Sequence, residues 1–253
     1  MKNKGLILLI TAVFYCQSSQ AQIAKPDTLA TDYGKLIIRP LMHATLVLEW
    51  DGKTIYVDPT GDSNLFKGIN PPDIILITDI HGDHTNLNTL KQLDTKNTRF
   101  VVPPAVADII KKDFEKQLSI ISNGGMVVID DIFINAIPMY NLPESADSKH
   151  PRGRGNGYFL NIDGKGIYIS GDTEDIKEMR ELRGIDVAFV CMNLPYTMNI
   201  YQAADAVLDF KPKIVYPYHY RGRPDMSDVN KFKKLVNAKN KKIEVRLRNW
   251  YPE

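Results

Sequence analysis

The segment Asp73-Ile74-Ile75-Leu76-Ile77-Thr78-Asp79-Ile80-His81-Gly82-Asp83-His84 decides the fold. Its first half is an apolar run of strand length, and its second half places two imidazoles and two carboxylates within six positions, at Asp79, His81, Asp83 and His84. Imidazole nitrogens and carboxylate oxygens are the ligands that Zn²⁺ and similar ions take. The segment therefore predicts a metal site where a buried strand ends. The alternative is a polar turn that caps a helix beginning near Thr85.

The strand in this segment recurs once along the chain. Residues 46–58 form two strand patterns around an Asp-Gly turn, and residues 158–170 repeat them 112 positions later, both with the sequence Asp-Gly-Lys-x-Ile-Tyr. The apolar strand Asp73–Thr78 matches Asp186–Cys191 at an offset of 113. Two matches at nearly one offset predict two related halves of hairpin, strand and helix.

The remaining patterns complete these halves. Strands are predicted at Arg99–Val102, Met126–Ile129, Ile132–Ile137, Lys213–Tyr218 and Ile243–Leu247. Helices are predicted from Pro103-Pro104 through Lys112, and at Glu174–Leu182, Tyr201–Phe210 and Ser227–Ala238. Two sheets packed face to face with helices outside are the economical arrangement for such elements, so we expect one domain of two similar lobes.

The chain begins with a layout typical of a secretory signal peptide. Two lysines precede the apolar run Leu6–Cys16, and Ser19-Gln20-Ala21 supplies small residues where signal peptidase cuts. We therefore expect residues 1–21 to be removed, residues 22–253 to form the folded domain, and the protein to be periplasmic or secreted. Two alternatives remain open. One is a lipoprotein attached at Cys16, which the bulky Tyr15 disfavours, and the other is a buried N-terminal helix.

Composition excludes several classes of protein. A chain of 253 residues that is 43% hydrophobic is neither disordered nor too short for a sizeable core. Its two cysteines exclude a four-cysteine zinc site, and Cys191, in an apolar run, is predicted to be a buried and inert thiol. The formal net charge of +2 falls to zero without the two leader lysines, which disfavours a nucleic-acid partner. Outside Leu6–Cys16, no apolar run approaches the roughly 20 residues of a membrane-spanning helix.

Further acids and imidazoles follow other predicted strands. Asp172 comes after the strand Ile167–Ser170, and His219 comes directly after Tyr218. His43 lies between two strand-like runs, and His150 lies in a polar loop. Because strand ends can converge on one edge of a sandwich, we expect these side chains to share a cleft with those of the first segment.

This order of residues resembles the metallo-β-lactamase superfamily. The motifs that carry the resemblance are Asp79-x-His81-x-Asp83-His84, Gly171-Asp172-Thr173, and His219 after a strand. Three further motifs resemble a lactonase-like branch of this superfamily, the ascorbate-6-phosphate lactonase type. They are His43-Ala44-Thr45, Asp58-Pro59, and His150 before Gly155-Asn156-Gly157-Tyr158. The resemblance covers about Leu36 to Arg221. It implies an α/β (α+β) fold, a four-layer αββα sandwich of two similar halves, with a hydrolase site of one or two divalent metal ions at the sandwich edge.

The resemblance also implies a ligand set. One metal would take His81, His150 and Asp172, and the second would take Asp83, His84, His219 and the shared Asp172. The motif of the family begins with His where this chain has Asp79. We expect Asp79 to bind the first metal or to hydrogen-bond one of its ligands, and the first metal to bind more weakly. The alternatives are that His43 replaces it as a ligand, that the first site stays half-empty, or that Asp79 only caps the loop backbone. Zn²⁺ is the expected metal, and the harder oxygen donors of Asp79 shift the preference toward Mn²⁺ or Fe²⁺.

The function that the resemblance implies is hydrolysis. A metal-bound hydroxide would attack a small ester, lactone, amide or phosphoester, with Asp83 as the catalytic residue that orients it or takes its proton. His43 and Asp58 are expected beside the metal ligands. The side chains that would receive an anionic group of a small-molecule substrate are Arg152, Arg154, Arg221 and Arg223. The alternative is a non-catalytic metal- or ligand-binding protein on the same scaffold.

Overall fold

The computed structural model describes residues 25–252. The predicted signal peptide and Cys16 lie outside the described residues. Within residues 25–252, none of the helices is both long enough and apolar enough to cross a membrane.

The described chain folds into two seven-stranded sheets. The first contains β1 (Asp27–Ala30), β2 (Lys35–Met42), β3 (Thr45–Trp50), β4 (Lys53–Val57), β5 (Ile74–Leu76), β6 (Arg99–Val102) and β7 (Leu118–Ile120). The second contains β8 (Met126–Ile129), β9 (Ile132–Met139), β10 (Gly155–Ile162), β11 (Lys165–Ile169), β12 (Val187–Cys191), β13 (Ile214–Tyr218) and β14 (Glu244–Val245). The helices are α1 (Leu87–Gln92), α2 (Pro104–Phe114), α3 (Lys177–Arg180), α4 (Ile200–Phe210) and α5 (Val229–Lys239).

The two sheets repeat one topology, as the sequence predicts. In each, the strands follow one another in chain order, the first four pairing antiparallel and the last three adding in parallel. The two predicted hairpins are β3–β4, paired through Trp50 and Lys53, and β10–β11, paired through Ile162 and Lys165. Asp51 and Asp163 take positive φ angles in the two Asp-Gly turns, a conformation that Asp tolerates better than most residues.

The core is continuous between the sheets and extends beneath the helices. Strand β5 shows the layering. Ile74 and Leu76 pack in the inter-sheet core, whereas Ile75 packs with Phe100 and with Ile110 of α2 on the outer face. Successive strand side chains alternate between the two faces, and both faces of β5 are covered, which explains why its sequence is an unbroken apolar run. These observations confirm the predicted four-layer α/β sandwich of two similar halves.

One predicted helix is shorter than expected. The pattern Glu174–Leu182 forms only α3, Lys177–Arg180. The backbone N–H of Glu174 donates to the carbonyl of Tyr140 at 2.9 Å, and Ile176 is extended with a ψ of 159°, so the helix begins only at Lys177. By contrast, α4 begins with a full capping box between Asn199 and Gln202.

Candidate metal centre

The predicted site residues stand at the carboxyl ends of parallel strands. Asp58 follows β4, the segment 78–84 follows β5, Asp172 comes three residues after β11, and His219 follows β13. His43 lies in the turn between β2 and β3, and His150 in the loop between β9 and β10. Carboxyl ends of parallel strands meet at one sheet edge, and here the edges of both sheets meet.

All seven predicted metal ligands, together with His43, fall into three groups. Within each group, one nitrogen or oxygen atom per residue lies within 4.8 Å of the others. The groups are Asp79, His81 and His150; His84, Asp172 and His219; and His43, Asp83 and His219. The structure therefore brings together every side chain that the sequence proposed as a ligand. Their coordination of a metal stays a prediction.

Asp172 lies between these groups. Its Oδ2 is 3.2 Å from Nε2 of His150 and 3.4 Å from Nε2 of His84, and its Oδ1 is 3.3 Å from Nε2 of His219. One carboxylate thus contacts an imidazole of the first predicted ligand set and two imidazoles of the second. This is the position that a ligand shared by two ions would occupy.

His84 is held by a buried carboxylate behind it. Its Nδ1 is 2.8 Å from Oδ2 of Asp58, which also accepts from the hydroxyl of Thr78, while Oδ1 of Asp58 accepts from the backbone N–H of Thr78. Because an ionised carboxylate can only accept, the Nδ1 of His84 carries the hydrogen and its Nε2 is left to face Asp172. A carboxylate behind an imidazole is the usual support of a metal-binding histidine.

Two other histidines are oriented by neutral partners. Nδ1 of His150 lies 3.2 Å from the amide oxygen of Asn141, which leaves Nε2 directed at Asp172. Nδ1 of His43 lies 2.9 Å from the hydroxyl of Tyr251, and its Nε2 lies 3.0 Å from Oδ2 of Asp83. The sequence did not mark either supporting residue. Asn141 lies nine positions before His150, and Tyr251 lies 208 positions after His43.

Burial and charge act against each other in this cluster. Burial opposes ionisation of Asp172, but the imidazoles of His219 and His84 hold the pKa of this carboxyl well below its usual range. Burial likewise opposes charge on His84, yet Asp172 and Asp58 raise the pKa of its imidazole well above the ordinary value. For Asp83, burial is outweighed by hydrogen bonds with His219 and His43, which lower its pKa. Burial lowers the pKa of His43. The carboxylates of Asp172 and Asp58 therefore stabilise positive charge on the imidazole of His84.

The donor set fits a divalent cation. Nε2 of His84 and Nε2 of His219 face each other at 3.2 Å. Among residues 25–252, the buried Oδ1 of Asp172 and Nδ1 of His219 have no hydrogen-bond partner. Buried polar atoms are rarely left without a hydrogen-bond partner. The carboxylate of Asp172 and the imidazole nitrogens of His84, His150 and His219 are the kinds of donor that bind Zn²⁺ and related ions.

Three residues of the site hold strained backbone conformations. His43, Asp58 and His219 have φ angles of 56°, 42° and 44°, in the left-handed region. Non-glycine residues there cost of order 1 kcal/mol or more, and the hydrogen bonds around them sustain the conformation. The N–H of His43 donates to the carbonyl of Trp250, and the N–H of His219 donates to the carbonyl of His43. Residues 249–252 are thus part of the framework of the centre.

Asp79, where the chain departs from the family pattern, is fully buried and paired with Arg154. Nε of Arg154 lies 3.2 Å from Oδ1 of Asp79, and its Nη2 lies 3.1 Å from Oδ2. The same Oδ2 is 2.7 Å from Nδ1 of His81. Burial opposes ionisation of Asp79, but the hydrogen bond with His81 and the nearby charges of His84, His81 and Arg154 lower its pKa. Asp79 thus contacts one predicted ligand of the first metal and one arginine.

Two cavities open beside the centre, and Asp83 lines both. One, of about 270 Å³, is lined by His81, Asp83, Lys149, His150, Asp172, Asn193 and Tyr196. The other, of about 460 Å³, includes His43, Asn86, Arg221 and Tyr251 in its wall. The carboxylate of Asp83 is 47% exposed between them. A substrate could therefore reach the centre from either side.

The remaining predicted residues lie apart from the centre or are inert. Arg152 pairs with Glu144 and Glu178, and its guanidinium lies over the ring of Tyr140. Arg223 is exposed and lines neither cavity. Cys191 is buried as predicted, and burial raises the pKa of its thiol to about 12.

Comparison with known proteins agrees with this geometry. A family described as the Beta-lactamase superfamily domain matches residues 38–219. A UPF0173 metal-dependent hydrolase of Pyrococcus abyssi is 34% identical over 219 residues, which cover 81% of this chain and 94% of that protein. Among solved structures, one from Parabacteroides distasonis, named as a metal-dependent hydrolase, is 35% identical with a TM-score of 0.80, over 90% of this chain and 99% of that one. A metallo hydrolase of the archaeon Ignicoccus hospitalis is 27% identical with a TM-score of 0.71, over 84% and 94% of the two chains.

These matches extend over the sandwich and the segments that carry the ligand groups. The family match begins in β2 and ends at His219, so it includes both halves of the repeat. With relatives above 30% identity over most of its length, the chain belongs to the metallo-β-lactamase superfamily.

Proposed function

We propose that this protein is a metal-dependent hydrolase that cleaves a small ester, lactone, amide or phosphoester. The observation that carries the proposal is the position of Asp172, whose two oxygens contact imidazoles of both predicted ligand sets. The names of the Pyrococcus abyssi and Parabacteroides distasonis relatives support a hydrolase. Membership of the lactonase-like branch stays a prediction, because the names of the relatives reported above give no substrate.

The centre would hold one or two divalent ions through the groups described above. Bound Zn²⁺, or the Mn²⁺ or Fe²⁺ that the Asp79 carboxylate would favour, supplies a water of lowered pKa and polarises the bond to be cleaved. Asp58 and Asn141 keep the Nε2 atoms of His84 and His150 turned toward Asp172. Asp83 lines both cavities, and we assign to it the role of orienting the attacking water. Since hydrogen bonds lower the pKa of Asp83, it is better suited to orient that water than to retain its proton.

The experiment that tests this function combines metal analysis with a substrate panel. The purified protein would be analysed for metal per chain and assayed against lactones, carboxylic esters, β-lactams and phosphodiesters, before and after chelation. We expect bound divalent metal and a hydrolytic activity that chelation removes and metal restores. A protein that binds metal but turns over none of these substrates would favour the non-catalytic alternative.

Arg221 is the arginine that we assign to an anionic substrate group. Within the described chain it has no carboxylate within ion-pair distance, and its guanidinium lies 4.2 Å from the ring centroid of Tyr251. It shares a cavity wall with Asp83 and His43 of the centre. An arginine without an acidic partner keeps its fork of donors available for a carboxylate or phosphate.

The Arg221→Ala variant is expected to raise the KM for an anionic substrate about tenfold, the loss of one charge-assisted contact, and to change kcat less. Metal content should not change, because the side chain contacts none of the ligand groups. The measurement is steady-state kinetics on a charged substrate and its neutral analogue. Arg223→Ala is the matched control, since Arg223 lies two residues away and outside the cavity. Equal effects of Arg221→Ala on both substrates would contradict the assignment.

We also propose export, on the signal-peptide layout of residues 1–21. The expected result is that the protein recovered outside the cytoplasm begins near Gln22, because Ser19-Gln20-Ala21 precedes the cut. Amino-terminal sequencing measures this directly. Exported protein that begins at Met1 would contradict the proposal, and a lipid on Cys16 would support the lipoprotein alternative.

A further inference from the structure

The ion pair between Asp79 and Arg154 lies inside the first predicted metal site. The carboxylate of Asp79 is fully buried, and both of its oxygens contact the guanidinium. Oδ2, the oxygen nearest the two imidazoles of the group, is 2.7 Å from Nδ1 of His81 and 4.0 Å from Nε2 of His150. A metal bound by this group would therefore share that oxygen with an arginine.

The second ligand group has no such neighbour. His84, Asp172 and His219 contact one another, and Asp58 and Asp83 stand beside them. No arginine or lysine lies within ion-pair distance of Asp172 among residues 25–252. The charges around the two groups thus differ, although Oδ2 of Asp172 also lies 3.2 Å from Nε2 of His150 in the first group.

The charge on Arg154 cannot be removed as the charge on an imidazole can. A protonated histidine loses its proton when a metal binds, so its positive charge leaves the site. Arginine keeps its charge throughout the accessible pH range. A metal at the first group must therefore either bind next to a fixed positive charge or displace the guanidinium from Asp79.

We propose that Arg154 is a built-in counter-cation that takes the place of metal charge at Asp79 and thereby weakens the first metal site. The centre then fills in order, with the group of His84, Asp172 and His219 first and the group of Asp79, His81 and His150 only at higher metal concentration. The inference rests on the metal binding of the proposed function but not on its substrate. In this proposal Arg154 does not bind the metal itself and acts only through the carboxylate of Asp79.

The principal test is Zn²⁺ titration of the metal-free Arg154→Met variant by calorimetry. Methionine has a similar reach and no charge, so it frees the Asp79 carboxylate for the metal. We expect the affinity of the first site to rise about tenfold, the lower end of the effect of changing a residue that supports a ligand. The metal-free variant should also melt earlier than the wild type, since Asp79 loses its counter-ion, and Zn²⁺ should restore the melting temperature.

Two further variants separate this role from a purely structural one. Arg154→Lys keeps the positive charge but loses the two parallel hydrogen bonds that the guanidinium donates to Asp79. Because its mobile ammonium can turn to solvent, we expect first-site affinity to rise less than in Arg154→Met. This variant tests the proposal even if Arg154→Met does not fold. The double variant Arg154→Met/Asp79→Asn removes both charges, and its first-site affinity should stay at or below that of the wild type. Arg152→Met, on the same loop but paired with Glu144 and Glu178, is the control and should bind Zn²⁺ as the wild type does.

Unchanged or weaker first-site binding in both Arg154→Met and Arg154→Lys would overturn the proposal and make Arg154 a brace for the loop of His150. A loss of melting temperature that Zn²⁺ does not restore would do the same. Failure of the proposed metal centre gives a different result, because the wild-type protein would then bind no Zn²⁺ at either site. Failure of the hydrolase assignment alone would appear as bound Zn²⁺ without turnover, and it would leave the order of filling unchanged.

Discussion

The His219→Ala protein is expected to fold and to bind its more tightly held metal at least about 100-fold more weakly, with a comparable loss of turnover. His219 places Nε2 3.3 Å from Oδ1 of Asp172 and 3.2 Å from Nε2 of His84, so it closes the second ligand group. It stands beyond the last residue of β13, and its removal leaves the inter-sheet core intact. Metal per chain, measured by elemental analysis after dialysis, checks the first part of this prediction.

The fold of this variant is measured by chemical unfolding in the presence of a chelator. The free energy of unfolding should change by no more than about 2 kcal/mol, within the range of ordinary single substitutions. Arg223→Ala is the matched control, four residues farther along the same loop and exposed. Full metal content and full turnover in His219→Ala would show that the ligand assignment is wrong.

Asp58→Asn is expected to lower metal affinity 10- to 100-fold although Asp58 itself binds no metal in our assignment. Asparagine has the same size and tolerates the positive φ of this position. It has one oxygen, however, whereas Asp58 accepts from the N–H of Thr78 at Oδ1 and from the Thr78 hydroxyl and His84 Nδ1 at Oδ2. An amide nitrogen facing His84 would drive the imidazole hydrogen to Nε2, the nitrogen that the metal needs.

The control for this experiment lies at the opposite end of the neighbouring parallel strand. Asp73 precedes β5 and accepts from the backbone N–H of Thr54 at 2.8 Å, without contact to the centre. Asp73→Asn should keep the metal affinity of the wild type. Calorimetric titration of both variants makes the comparison, and equal affinities for Asp58→Asn and wild type would contradict the supporting role of Asp58.

The sequence was sufficient for the fold and for the set of side chains that the structure gathers at the strand ends. Strand β5 is buried on both faces and therefore unbroken in its apolar sequence, and the polar side chains that follow it have few places to lie except the sheet edge. The same holds for His219 after β13. The repeated Asp-Gly hairpin predicted the two halves because its turn depends on only a few neighbouring residues.

Long-range pairs were beyond the sequence. Asp79 and Arg154 are 75 positions apart, and whether a loop arginine meets a carboxylate or solvent depends on the path of the loop. The four arginines that lie near His150 and His219 in the sequence look alike, yet Arg152, Arg154 and Arg221 have different partners in the structure. The support of His43 by Tyr251, 208 positions away, is set by tertiary contacts in the same way. Asn141 and His150 are only nine positions apart, and their contact depends on the path of one loop.

The repeat also divides labour between two corresponding loops, one in each half. The segment after β5 carries Asp79, His81, Asp83 and His84, and 113 residues later the corresponding segment after β12 has Met192, Leu194, Tyr196 and Thr197. Asn193 and Tyr196 from that second segment instead line the cavity beside His81 and His150. Of these two duplicated loops, one therefore carries predicted metal ligands and the other lines the adjoining cavity. Substrate range could evolve, or be engineered, in the loop after β12 while the loop of ligands after β5 stays unchanged.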